Sequence, residues 1–198
     1  TDPQGIEADG CSGSGCTNGF RSAPFSTPIV ANMTLVGSGA VENQTAGGNG
    51  MVLRRGTGGF ISNSIIGRWK SFALNVRDIV TDTLGQRDTL QIVNVILAEN
   101  GFHYDTVGVN YGQASKFTAD NHRTATSVSS LIQSVNPASL NWTPVAASAA
   151  TTGGGTVALP AARTSGFFGG TMTNTTYVGA VDPAGPQWYA TWSYYAIN

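Results

Sequence analysis

Charge is what this sequence has least of. Asp, Glu, Lys and Arg make up 11% of its 198 residues, against roughly 25% in an ordinary globular domain. Lysine occurs only at Lys70 and Lys116, and the net charge is −1. A chain so poor in cations has no basic face with which to displace counterions. That excludes nucleic acid as a partner and, for the same reason, an anionic membrane surface. Long apolar runs are missing too: no stretch approaches the ~20 residues that span a bilayer. No signal-peptide pattern follows Thr1, so the expectation is a mature or internal fragment whose export signal lay upstream. Histidine is limited to His103 and His122, and cysteine to Cys11 and Cys16. The cysteines flank Ser12-Gly13-Ser14-Gly15, a loop flexible enough for the thiols to meet. A small-loop disulfide is expected, with a metal site or free thiols as alternatives. Structural zinc wants four ligands, and a disulfide implies an oxidising compartment. Neither a metal nor a cofactor is expected.

Glycine, by contrast, is abundant at 26 residues, and Ser, Thr and Asn are frequent. This mixture suits many tight turns and a neutral polar surface. The length suffices for one domain with its own core, and no boundary divides residues 1–198. Three segments repeat one another: 29–37, 60–67 and 91–97. Each places an Asn between two short apolar stretches, and Asn32, Asn63 and Asn94 stand 31 residues apart. Fixed periods of this size are the signature of solenoids. A second set, 5–9, 50–54 and 73–77, alternates with period two, as a strand does. It directs Ile6, Met51 and Leu74 inward, with Ala8, Leu53 and Val76, and turns Glu7, Val52 and Asn75 outward.

Two strands hinged at an Asn, plus a third elsewhere in the period, describe one coil of a β-helix. Asn tolerates the left-handed backbone of a sharp corner, and stacked Asn side chains can bond along the ladder. The expected class is therefore all-β: a right-handed parallel β-helix with long loops and an aromatic C-terminal cap. A β-sandwich with accidental spacing is the alternative. Long helices are disfavoured, since no long segment has a 3.6-residue period. Residues 127–133 form a short helix or strand candidate. Residues 37–50 and 78–88 are expected as loops, the periodicity fades from 103 to 121, and 146–158 reads as a flexible low-complexity excursion.

Residues 2–10, 48–59 and 177–192 resemble a family of secreted, lipoprotein-like bacterial β-helix proteins of Gemmatimonadota and Bacteroidota. The resemblance implies that the chain is the C-terminal half of a longer β-helix, whose N-terminal half carries the signal peptide and the first coils. It implies a fold and an extracellular or cell-surface location, and no catalytic residues.

Candidate sites are few. Glu7 and Asp9 share a strand face, about 7 Å apart on strand geometry, a separation within the range of glycosidase carboxyl pairs. The facing coil, however, supplies arginines, so an Asp9–Arg54 ion pair that fixes register is preferred to a cleaving site. Asp78, Asp82 and Asp88 lie in one loop without any recognised calcium spacing, and a solvated loop is preferred. His103 and His122 have acidic and aromatic neighbours but no nucleophile elbow. Trp188, Trp192 and Tyr194 form an aromatic end that either caps the last coil or stacks on glycans. Asn32, Asn43, Asn141 and Asn174 begin sequons; Asn32 sits at a corner where modification is disfavoured.

Two functions follow. The preferred one is a rigid extracellular rod that assembles with itself, as a homo-oligomer, or with its upstream half, since a first coil at 5–9 would expose an unpaired strand edge. The alternative is a carbohydrate-binding or carbohydrate-cleaving protein.

Overall fold

The computed structural model describes residues 4–39, 48–105, 114–160 and 172–193. The chain shuttles between two parallel sheets. One sheet holds β1 (Gln4–Asp9), β5 (Asn49–Arg54), β7 (Phe72–Val76) and β9 (Phe102–Tyr104), in that order. The other holds β3 (Ile29–Ala31) and β4 (Thr34–Val36), both paired with β6 (Gly59–Gly67), then β8 (Leu90–Ala98) and β10 (Arg123–Ala125). A short exposed strand, β2 (Thr17–Phe20), lies in the first connection. Each passage through both sheets makes one rung, and the strands of these two sheets pair in parallel with their counterparts in neighbouring rungs.

The register follows the repeat. Ile61 faces Ile92, and Ile66 faces Leu97. Ile6 faces Met51, which faces Leu74. The residues directed inward make one core: Met51, Leu53 and Leu74 from the first sheet meet Ile66, Ile92 and Leu97 from the second, with Ile6 and Ala8 partly buried against them. Fully burying such a side chain is worth about 1.5–3 kcal/mol. Val52 and Asn75, which alternation turns outward, are also buried.

Asn32, Asn63 and Asn94 take φ values of 56°, 50° and 52°. In the second sheet this left-handed residue bends each long strand into two differently aimed halves, so one strand can bound two sides of the core.

Two helices interrupt the strands. Residues expected as a solvated loop form α1 (Ile79–Gln86), because Asp78 caps it by accepting from the amides of Val80 and Thr81 and because Leu84 reaches the core. The short α2 (Ala114–Ala119) precedes β10. Neither was legible as a periodic pattern, since one buried leucine anchors α1.

After β10 the chain turns back along the outside of the second sheet. A 3₁₀ turn at Val128–Ser130 leads into β11 (Ile132–Ser134), which pairs antiparallel with β12 (Asn141–Pro144). Val128, Leu131, Ile132, Ala150 and Val178 cover Ile65 and Ile96, forming a second apolar cluster. Part of the excursion at 146–158 is bonded to the returning chain. Val178 N–H bonds Ala150 O at 2.9 Å, Gly154 N–H bonds Thr176 O at 3.0 Å, and Ala150 is fully buried. No helix among the described residues is long and apolar enough to cross a membrane.

Candidate functional site

Three places gather polar or aromatic side chains. The first lies at the end of β1 and β5. Strand alternation puts Glu7 and Asp9 on one face, and the parallel register sets Asp9 against Arg54. Arg54 Nε donates to Asp9 Oδ1 at 2.6 Å, and Arg54 also pairs with Glu7. Arg55, in a left-handed turn (φ 57°), brings Nη1 to 2.6 Å from Asp9 Oδ2. Its backbone N–H bonds Asp78 at 2.5 Å. Both Asp9 oxygens are thus engaged. The hydrogen bond from Arg54, helped by the charges of Arg54 and Arg55, holds the Asp9 carboxyl below its usual range against the opposing effect of burial. A general acid needs a raised pKa and a carboxyl free to reach substrate; Asp9 has neither. Beside this cluster Cys11 and Cys16 form a disulfide.

The second place is the line of asparagine corners. Asn94 Nδ2 donates to Asn63 Oδ1 at 2.6 Å and to Gly153 O at 2.8 Å. Its Oδ1 accepts from Asn121 Nδ2 at 2.7 Å and Arg123 Nη2 at 3.1 Å. The full capacity of one carboxamide is used. Asn32 stands in register but does not continue the chain of amides. Its Nδ2 turns to Thr175 Oγ1, Tyr177 O and Gly179 O, at 2.8, 3.2 and 3.0 Å. Asn63 Nδ2 is left buried without an acceptor. The returning C-terminal segment thus takes up the Asn32 amide with one hydroxyl and two backbone carbonyls. Asn121 (φ 55°) is a fourth corner that the 31-residue repeat misses. It lies 27 residues after Asn94 because the last rung is shorter, and the Asn-His-Arg-Thr-Ala run carried no other signal.

The third place is the aromatic end. Its described part packs beside Trp142. Tyr189 is buried beside Trp142, ring centroids 5.8 Å apart, and its hydroxyl accepts the Trp142 backbone N–H at 2.7 Å. Trp188 and Trp192 stack on each other at 5.5 Å, with 48% and 70% of their surface exposed. Their indole N–H groups donate to Ala180 O at 2.8 Å and Trp188 O at 2.7 Å. With the polar edges tied to the main chain, the ring faces are what solvent meets. Trp142, against which Tyr189 packs, carried no signal in the sequence because it stands 47 residues from its partner. Tyr194 lies outside the described residues, as does the sequon at Asn43.

The remaining candidates are spent structurally. Asp78 caps α1, Asp82 is buried and accepts from Gln86 at 2.6 Å, and Asp88 pairs with Lys116 at 2.7 Å. His122 Nε2 bonds Ile92 O at 2.5 Å, and its Nδ1 meets Tyr104 hydroxyl at 3.1 Å. Burial pushes its pKa down from 6.5 to about 4, so the ring is neutral. His103 Nδ1 is buried and unpartnered, and burial lowers the pKa of this ring too. Asn141 bonds Gln133, and the exposed Asn174 bonds Val157 O. No group of three or more His, Cys, Asp or Glu able to hold a metal occurs among the described residues.

A family model described as a pectate-lyase-like β-helix domain matches residues 1–145. No curated protein matches the chain, and no solved structure does.

Proposed function

This chain belongs to the pectate-lyase-like β-helix family, and from that premise we propose that it is a right-handed, extracellular β-helix that binds polysaccharide without cleaving it. The exposed Trp188–Trp192 pair carries the reading. Two large rings stacked 5.5 Å apart, with their N–H groups already bonded, offer solvent an apolar surface of the kind on which sugar rings stack. The disulfide between Cys11 and Cys16 supports an oxidising compartment. The engagement of Glu7 and Asp9 by Arg54 and Arg55 speaks against acid–base cleavage at that cluster.

Affinity electrophoresis through gels containing neutral or acidic polysaccharides tests the proposal. At least one polymer should retard the protein, and Trp192→Ala should abolish the retardation. No unsaturated or reducing ends should be released. Turnover that Asp9→Asn removes would overturn the non-cleaving part, and equal mobility of wild type and Trp192→Ala in every gel would overturn the binding part.

A second reading, a rod built by end-to-end stacking, has its own support. β1 and β3 stand at the edges of their sheets, and Ile6, Met33 and Leu35 in that first rung are only partly buried. Such an edge accepts another strand, supplied either by a second copy or by the preceding part of the same polypeptide. Light scattering decides for self-stacking if purified protein forms open-ended oligomers that charge-bearing Ile6→Lys disperses.

A further inference from the structure

The second sheet ends in a pair of turns that place opposite charges side by side. Arg68 follows β6 and Glu99 follows β8, one rung apart in register, and both adopt left-handed backbone (φ 61° and 53°). At a rung spacing of ~4.8 Å an Arg and a Glu would ordinarily pair. Here they do not: among the described residues neither takes part in an ion pair. The Arg68 guanidinium is drawn to Ser38 O at 3.2 Å. It lies over Gly39, where a Cβ would come within 3.0 Å of Nη2. The Glu99 carboxylate accepts the Val128 N–H at 2.6 Å. Each charge is thus held by main chain and keeps bonding capacity unused, Arg with four of its five donors and Glu with a second oxygen.

Both residues line a cavity of about 400 Å³ between these turns and the returning C-terminal segment. Val36, Pro137, Leu140 and Trp142 supply an apolar wall. The Trp142 indole Nε1 is buried and meets no acceptor. A volume of this size suits a small molecule.

We infer that this cavity binds a small zwitterion, namely an α-amino acid with an apolar side chain. Its carboxylate would take the Arg68 guanidinium. Its ammonium would take Glu99, and its side chain would lie on the apolar wall. A neutral sugar would leave both charges without counter-ions. A sugar acid would answer Arg68 and set a second carboxylate against Glu99. Only a ligand carrying both signs answers both walls. The inference does not depend on the glycan reading, whose rings are Trp188 and Trp192.

Titration of the full chain with L-leucine, followed through the tryptophan indole N–H resonances, tests it, with Trp142→Phe assigning the relevant signal. L-Leucine should shift that signal saturably. Leucinamide, which lacks the carboxylate, and N-acetyl-leucine, which lacks the ammonium, should each bind about tenfold more weakly or worse. Arg68→Gln should reduce L-leucine to the level of leucinamide, and Glu99→Gln should reduce it to that of N-acetyl-leucine. The Gln at 99 keeps an oxygen for Val128, and unchanged melting of the variants separates lost binding from lost fold. Absence of any shift with L-leucine overturns the inference. So does an equal shift with galactose or galacturonate, or an affinity indifferent to either charge on the ligand. A Trp142 shift with leucine alongside no retardation in polysaccharide gels would leave this site standing and the glycan proposal fallen.

Discussion

The rungs at 48–105 and the returning segment at 126–193 cover the same strands from opposite sides by different means. In the rungs, backbone ladders repeat in register and the inward side chains meet in one core. Among the described residues the segment forms one short antiparallel pair of its own, and it is held by an apolar patch and by side chains reaching for main-chain carbonyls. The difference shows how a sheet with two buried faces is built. Once Ile65 and Ile96 face away from the interior, something must cover them, and the cover need not share the repeat.

The sharpest way to break this contrast is to test whether the cover matters as much as the core. Ile96 is fully buried on the outer face. Ile96→Ala should cost about 3–4 kcal/mol in chemical denaturation, close to Ile92→Ala in the interior. A loss well under 1 kcal/mol would mean that the segment merely rests on the sheet.

Acid should distinguish the regions next, because the returning segment contains no histidine. His122 in the last rung has its pKa depressed from 6.5 to about 4 by burial. The unfolded chain therefore takes up a proton that the folded chain refuses between those values. The stability is fully present above pH 6.5 and is lost as pH falls towards 4, by about 3 kcal/mol. His122→Gln should flatten this part of the profile in thermal melts across that range.

Asn94 joins the two regions, bonding Asn63 and Asn121 along the rungs and Gly153 in the segment. Asn94→Leu should cost about 2 kcal/mol, since it strands several buried groups at once. A smaller effect than Asn32→Leu would show that the outer anchor outweighs the ladder.

Gly179 (φ 98°) is a close approach of the segment to the sheet: a Cβ there would lie 2.9 Å from both Ile65 Cδ1 and Thr34 Oγ1. Gly179→Ala should cost about 1–2 kcal/mol through left-handed strain and contact together. Hydrogen exchange should rise first at Val178 and Ala180. The smallest effect belongs to Trp192→Ala, which should stay within about 0.5 kcal/mol of wild type, because its ring is mostly exposed.

Much of the rung architecture could be read from residues close to one another or one period apart. Asn63 and Asn94 mark left-handed corners because Asn tolerates that backbone, and the alternation in 50–54 and 73–77 sets which side chains meet the core. One clue to the second buried face was also there. Ile65-Ile66 and Val95-Ile96-Leu97-Ala98 run apolar without alternating, as strands covered on both sides do. α1 escaped because a single cap at Asp78 and one buried leucine specify it, too little for a periodic signal.

By itself, then, the sequence pointed to a parallel, Asn-cornered β-helix with a disulfide-closed loop, since these depend on local backbone preference and repeat spacing. Only the tertiary structure decided that Asn32 leaves the amide ladder for Thr175, 143 residues away. It also decided that the aromatic end docks on Trp142 and that Arg68 and Glu99 face one cavity with Trp142. Those contacts carry no period. They depend on which surface the returning chain fits once the rungs have formed.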